Sequence, residues 1–115
     1  MIGRSNRFHG YASLRFVYRQ GQTVRGPLMG LRYSANPKRQ TYRLAVVVSK
    51  KISKSAVVRN RIRRRIYEAV RVSLGETGGA DLVITVFKAE VEQLSANDLG
   101  QQLDKLLDQA GLAKK

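Results

Sequence analysis

The chain has 115 residues and a mass of 12.9 kDa, which suits one compact domain rather than two, and its 43% hydrophobic content supports a modest core. It holds no cysteine, which excludes a disulfide scaffold, a thiol nucleophile and a cysteine-based zinc site, and no apolar run approaches the roughly 18 residues of a membrane span. Its 22 Lys and Arg against 8 Asp and Glu give a net charge of +14, a field that a folded domain usually keeps for a polyanion.

In chain order, Met1–Gly10 is basic and polar with no apolar stretch, so it reads as a flexible arm and not as a secretory signal. Leu14, Val17 and Tyr18 recur at i, i+3, i+4, which predicts a short helix over 11–20 ended by Gly21. Phe16 falls off that stripe. Residues 24–33 read as a strand with Gly26-Pro27 at its start, where a missing N–H does least harm. Asn36-Pro37 marks a turn, and the β-branched run Tyr42 to Val48 predicts an interior strand. Ser49–Ser55 is a polar connection carrying Lys50, Lys51 and Lys54.

The period then changes. Val58, Ile62, Ile66, Ala69 and Val70 follow a helical repeat, predicting an amphipathic helix of about five turns that ends near Leu74-Gly75. Gly78-Gly79 is a loop, and Asp81 opens a strand Leu82–Phe87 as a cap. Ser95 reads as an N-cap with Asp98 three residues on, flanked by a Leu94/Leu99 staple. Leu99, Leu103, Leu106, Leu107 and Ala110 form the stripe of a last helix with Gly111 as its C′ residue. The order is α-β-β-α-β-α, with room for one extra short strand, so the fold class is α+β, a small two-layer α/β sandwich. Residues 11–112 form the single domain, with 113–115 as a basic tail.

The charge is not evenly spread. Residues 1–75 hold 18 basic residues, 14 of them Arg, against the single acid Glu68, whereas residues 76–115 hold four basic residues and seven acids. Arg offers phosphate a planar fork and can stack on bases, so nucleic acid leads over a membrane surface or an acidic protein as the partner. The helix after Ser55 concentrates this charge. At about 100° per residue its apolar face centres on Ile62. Opposite lie Asn60, Arg64, Tyr67 and Arg71; Arg59 and Arg63 run down one flank, Arg61 and Arg65 down the other. A solvated helix normally mixes signs to gain i,i+4 pairs. Five Arg between positions 59 and 65 repel one another until a phosphate backbone lies across them. Tyr11, Phe16, Tyr18, Tyr33 and Tyr42 fall in the basic part, where rings interleaved with cations suit single-stranded nucleic acid; each also reads as ordinary core packing.

The ordered set Val46-Val47-Val48-Ser49-Lys50-Lys51, a short linker, then Ala56-Val57-Val58-Arg59-Asn60-Arg61-Ile62-Arg63-Arg64 resembles the signature of the bacterial ribonuclease P protein component. Arg7-Phe8 with Leu14, Val17-Tyr18 and Gly21, the run Asp81-Leu82-Val83-Ile84, and the Leu-rich tail are similar to that family's first helix, last strand and last helix. The resemblance implies a ribosomal protein S5 domain 2-like fold with a left-handed βαβ crossover. It implies a cytoplasmic protein subunit, monomeric in a one-to-one complex with a catalytic RNA that matures the 5′ end of precursor tRNA using Mg²⁺. That Mg²⁺ is held by RNA and substrate, with no protein cage.

Carried over by motif, contacts to the RNA subunit would come from Lys50, Lys51, Lys54, Arg59, Asn60, Arg61, Arg63 and Arg64. The precursor's 5′ leader would lie in a cleft between the first helix and the sheet, involving Leu14, Phe16, Val17, Tyr18 and a residue of the first strand, Arg32 or Tyr33. Leu14 stands where the family commonly carries Phe, which removes a stacking ring. Tyr67 stands where an Arg usually precedes the Glu, and Ile52–Ser55 is Ser-rich where Gly is common.

The chemistry of a protein nuclease is missing. His9 is the one histidine and lies near the terminus, and the acids are scattered rather than clustered as two-metal sites require. No P-loop, nucleophile elbow or dinucleotide fingerprint is present. The expectation is an RNA-binding subunit with no catalytic or metal-ligating residue of its own. The alternative is a structural, ribosomal-type RNA-binding protein without a role in cleavage; a DNA-binding module is the third reading.

Overall fold

The computed structural model describes residues 22–35, 42–74 and 80–111. Their elements are β1 (Gln22–Arg25), β2 (Met29–Ala35), β3 (Arg43–Val47), α1 (Ala56–Leu74), β4 (Ala80–Val86), a 3₁₀ turn (Ala89–Gln93) and α2 (Ala96–Gln109). The predicted helix over 11–20, the Asn36-Pro37 turn and the Gly78-Gly79 loop lie outside the described residues.

The four strands form one sheet in the order β1-β2-β4-β3. β1 and β2 are an antiparallel hairpin, β2 and β4 are antiparallel, and β3 and β4 are parallel. A parallel pair needs a crossover, and α1 provides it. Two strand expectations are corrected here. The span 24–33 is not one strand but the hairpin β1–β2. Gly26-Pro27 lies in its turn, where the Gly26 N–H donates to the Met29 carbonyl at 2.8 Å. Pro27 suits the second place of such a turn because its φ is already fixed. β1 is thus the extra short strand. Second, β3 is not interior: it ends the strand order, and β4 takes the place between β2 and β3. The alternating burial of β3 fits this, with Leu44 and Val46 buried and Arg43, Ala45 and Val47 only partly so. β4, buried at six of its seven positions, reads as the central strand.

Strand alternation sorts the sheet into two faces. Val24, Leu31, Ile84 and Val46 form one cross-strand row, and Gln22, Tyr33, Leu82 and Leu44 the next. This face carries the helices. The other face carries the rows Thr23, Arg32, Val83, Ala45 and Arg25, Gly30, Thr85, Val47.

α1 runs for 19 residues without Gly or Pro. The Ser55 hydroxyl caps it by accepting from the Val58 N–H at 3.3 Å. Ile62, Ile66, Val70 and Leu74, four residues apart, are its buried stripe, so the predicted register and end are those observed. α2 is as expected: the Ser95 hydroxyl accepts from the Asp98 N–H at 3.0 Å, Leu99, Leu103, Leu106 and Leu107 are buried, and Gly111 has the positive φ of a C′ residue, 75°. Both helices pack their stripes with Leu31, Leu44, Leu82 and Ile84 into one core. Tyr42 belongs to that core, 2% exposed, and so is not a stacking ring for nucleic acid; burial pushes its phenol pKa up. Asp81 does not cap a strand start. It sits inside β4, 2% exposed, in a bidentate pair with Arg43 of β3: Nε to Oδ1 at 2.9 Å and Nη2 to Oδ2 at 3.0 Å.

Candidate nucleic-acid interface

The interface begins where β3 ends. From Ser49 the chain turns back on itself: the Ile52 N–H donates to the Ser49 carbonyl at 3.0 Å, and the Ser55 N–H to the Ser53 hydroxyl at 3.2 Å. Serine hydroxyls suit such turns because they satisfy nearby backbone groups. Arg59, in the first turns of α1, reaches back and donates to the Ser53 carbonyl at 2.9 Å. The loop is therefore pinned to the helix. Lys50, Lys51 and Lys54 project from it, all exposed.

Beyond the loop, the apolar stripe of α1 turns the rest of its circumference outward. Asn60 and Arg64 are exposed, and Arg63 contacts the Asn60 side-chain oxygen. Arg64 has no ion pair among the described residues. Arg71 pairs with Glu68, the one acid on the helix. The Arg71 guanidinium is the largest of the influences that hold the Glu68 carboxyl down at about 2. Tyr67 is half-buried and packs against the core edge. One outward arc therefore collects Arg59, Asn60, Arg63 and Arg64, continuous with the loop lysines.

The opposite flank behaves differently. Arg61 is exposed and lies 3.6 Å from Glu92. Arg65 turns inward to the 3₁₀ turn: it donates to the carbonyls of Glu92, at 2.8 Å, and of Val91 and Leu94. The two flanks predicted to be cationic thus differ: Arg61 and Arg65 meet the 3₁₀ turn. The 3₁₀ turn, which the hydrophobic periodicity did not reveal, occupies the second flank. The Val91 carbonyl also accepts from the Leu94 N–H at 3.3 Å, and the carbonyls of Glu92 and Leu94 take Arg65 donors.

For the leader-side residues, Leu14, Phe16, Val17 and Tyr18 lie outside the described residues. Arg32 and Tyr33, adjacent in β2, fall on opposite faces of the sheet. Tyr33 points to the helix side, packs on the core and donates its hydroxyl to Gln22 Oε1 at 2.9 Å. Arg32 lies on the face away from α1 and α2, beside Val83. Near it a recess of about 120 Å³ is lined by Thr23, Arg25, Gly30, Arg32, Thr85 and Phe87. The Arg25 guanidinium stands 4.8 Å above the Phe87 ring. Gly30 allows this, because a Cβ there would come within 2.6 Å of Phe87 Cζ. Arg25 and Phe87 were not among the expected site residues. The signal for them was a glycine in mid-strand, which marks close approach of another group.

The arrangement is similar to known proteins throughout its length. Residues 2–111 match the Ribonuclease P family. The chain belongs to the ribonuclease P protein family. It is 37% identical over 110 residues to the ribonuclease P protein component of Chloroflexus aurantiacus, covering 95% of this chain and 80% of that one. It is 31% identical over 111 residues to the component from a Pseudanabaena species, covering 96% and 95%. Among solved structures, the Staphylococcus aureus RNase P protein superposes with a TM-score of 0.82 at 23% identity, over 95% of this chain and 98% of that one. The Thermotoga maritima RNase P protein gives 0.73 at 22% identity, over 84% and 89%. As a ribonuclease P protein component, the chain is a subunit of an endoribonuclease that works with an RNA partner as a ribonucleoprotein. Among the described residues, no three His, Cys, Asp or Glu side chains converge as a metal site, and no helix is long and apolar enough to cross a membrane.

Proposed function

We propose that this ribonuclease P subunit binds the catalytic RNA through Lys50, Lys51, Lys54, Arg59, Asn60, Arg61, Arg63 and Arg64. It further holds the single-stranded 5′ leader of precursor tRNA against the sheet, and so assists endonucleolytic maturation of the tRNA 5′ end in the cytoplasm as a monomer in a one-to-one complex. The observation that carries this reading is the outward arc of α1. Arg59, Asn60, Arg63 and Arg64 form one surface with the lysine loop at its start, and the helix's only acid is already paired with Arg71. A phosphate backbone on that arc relieves the repulsion between the guanidiniums and gains charge-assisted hydrogen bonds.

On the leader side, Arg32 supplies a cation on the sheet face away from the helices, with Leu14, Phe16, Val17 and Tyr18 completing the cleft. The Tyr33 position supports the hairpin from the core side, since its ring packs there. Residues 11–112 act as one RNA-binding domain, with 1–10 and 113–115 as basic extensions. The scattered acids offer no cage for Mg²⁺ among the described residues. In this reading the ion is held by RNA and substrate phosphates, in keeping with its preference for phosphate oxygens and water, and the bond is broken by the RNA.

The test is cleavage of a 5′-extended tRNA precursor at low Mg²⁺ by the protein alone, by a bacterial ribonuclease P RNA alone, and by both. Cleavage at the mature 5′ end in the mixture only is the expected result. Tight RNA binding without stimulation, with RNAs from several relatives tried, overturns it in favour of a purely structural RNA-binding role. Cleavage by the protein alone places an active site in this chain.

A further inference from the structure

We infer that Arg65 is a positioning residue and not an RNA ligand: its fork ties α1 to the carbonyl end of the 3₁₀ turn and thereby sets the rotation at which Arg59, Asn60, Arg63 and Arg64 face the RNA. The inference rests on the reading that this arc of α1 carries phosphate.

Within the crowded run 59–65, Arg59 gives one bond to the Ser53 carbonyl of the adjoining loop, whereas Arg65 spends its fork on the backbone of a separate element. Nη1 donates to Glu92 O at 2.8 Å and contacts Val91 O at 3.4 Å, while Nη2 donates to Leu94 O. These oxygens close the 3₁₀ turn, and Ser95, the next residue, caps α2. Arg65 therefore joins three elements: the basic helix, the turn that follows β4, and the start of α2. Its neighbours on that side are Arg61 with its partner Glu92, Glu68 one turn on, and the small side chains of Ala69 and Ala96.

The need for such a tie comes from how α1 is otherwise held. Its buried contacts are Ile62, Ile66, Val70 and Leu74, and apolar packing is weakly directional. Hydrogen bonds to fixed carbonyls are directional. A side-chain tip roughly 6 Å from the helix axis moves about 2 Å for a rotation of about 20°. That movement is enough to break a phosphate contact. A planar fork can serve carbonyls from three residues at once, whereas an ammonium is a single point. Arg and Lys are therefore not interchangeable here, although they are similar as phosphate counter-charges.

The experiment reconstitutes the holoenzyme with the ribonuclease P RNA of Chloroflexus aurantiacus and measures affinity across a salt series for R65M, R65K and R64M. Circular dichroism and a melting curve establish that each variant is folded at the assay temperature. Met keeps the apolar stem of Arg65 and removes the donors. R65M is expected to be folded and to bind about three- to tenfold more weakly at every salt concentration, the cost of a surface no longer preorganised, with an unchanged salt slope. R65K is expected to fall alongside it. R64M is expected to flatten the slope by roughly one phosphate contact.

A slope reduced by a whole contact in R65M overturns the inference, because Arg65 is then a phosphate ligand. Recovery in R65K also overturns it, since charge alone then suffices. So does wild-type affinity in a folded R65M, and so does failure of both Arg65 variants to fold, which would make the residue a scaffold element only. A normal slope in R64M instead refutes the RNA-binding reading of the arc, and the positioning role falls with it.

Discussion

The pair between Arg43 and Asp81 invites a direct test, because it joins the two parallel strands by charge with the carboxylate buried. Asp81 is 2% exposed and the Arg43 side chain 17%. Asp81→Ala removes both acceptors of the 2.9 and 3.0 Å bonds and leaves a guanidinium mostly out of water. Deleting one partner of a buried pair costs about 3–5 kcal/mol; the residual exposure of Arg43 places this case at the lower end, about 3 kcal/mol. For a domain of this size that lowers Tm by about 12 °C. With a urea m-value of about 1.5 kcal/mol/M it shifts the midpoint by about 2 M. Urea unfolding followed by circular dichroism measures this directly. The double variant Arg43→Met, Asp81→Leu removes both charges and keeps the volume, so it should recover most of the loss. A single variant that costs under about 1 kcal/mol refutes the argument. So does a double variant as unstable as the single one, which would trace the loss to packing rather than to the broken charge pair.

Ile62→Asp puts a carboxylate at the centre of the α1 stripe, and the variant should show no cooperative melt under conditions where the wild type is folded; a native-like transition would contradict the observed helix register. Gly30→Ala should swing the Phe87 ring off Arg25 and cost about 1 kcal/mol, visible as a changed ring-current shift on the Arg25 side chain. Glu68, held at about 2 chiefly by Arg71, contributes stability that is present above its ordinary titration range and fades as pH falls towards that value. Its carboxyl carbon should stay in the ionised position at pH 3 by NMR, and Arg71→Met should return its midpoint towards 4.5. Tyr42 has the opposite sign. Burial raises its pKa above 10.0, so its contribution is complete below that pH and is lost as pH rises through the folded value; Tyr42→Phe should lessen the alkaline loss in a pH series of melts.

What could be read from the residues was governed by periodicity. Ile62, Ile66 and Val70 announce their helix because burial repeats every four residues, and Ser95 announces the next because a hydroxyl three residues before an amide closes the first turn. The β-rich part was harder. Gly26-Pro27 is compatible with a strand start and with a hairpin turn, and only pairing partners distinguish them. The place of β3 at the end of the sheet depends on where β4, almost forty residues later, inserts. The 3₁₀ turn Ala89–Gln93 is too short to leave a periodic trace, and without it the role of Arg65 is invisible: a guanidinium among five looks like a phosphate ligand until the carbonyls it meets are known. Asp81 was likewise legible as an acid next to an apolar run, but its partner Arg43 lies across the crossover. Among the interface residues, the lysine loop and the arc from Arg59 to Arg64 follow from local spacing, whereas the division of Arg32 and Tyr33 between two faces follows from the strand phase.

The insertion of β4 between β2 and β3 also bears on how the chain is made. Ribosomes release the chain from its N-terminus, so residues 1–79, which hold all 18 of the cations in the basic part, emerge before the strand that pairs with both neighbours exists. Among the described elements, the β1–β2 hairpin and α1 precede that moment, and neither is stable alone in water. Closure of the sheet waits for Leu82 to Val86, a long-range step that is slow by its topology. The nascent chain is therefore strongly cationic beside ribosomal RNA, and its sheet closes when the central strand clears the exit.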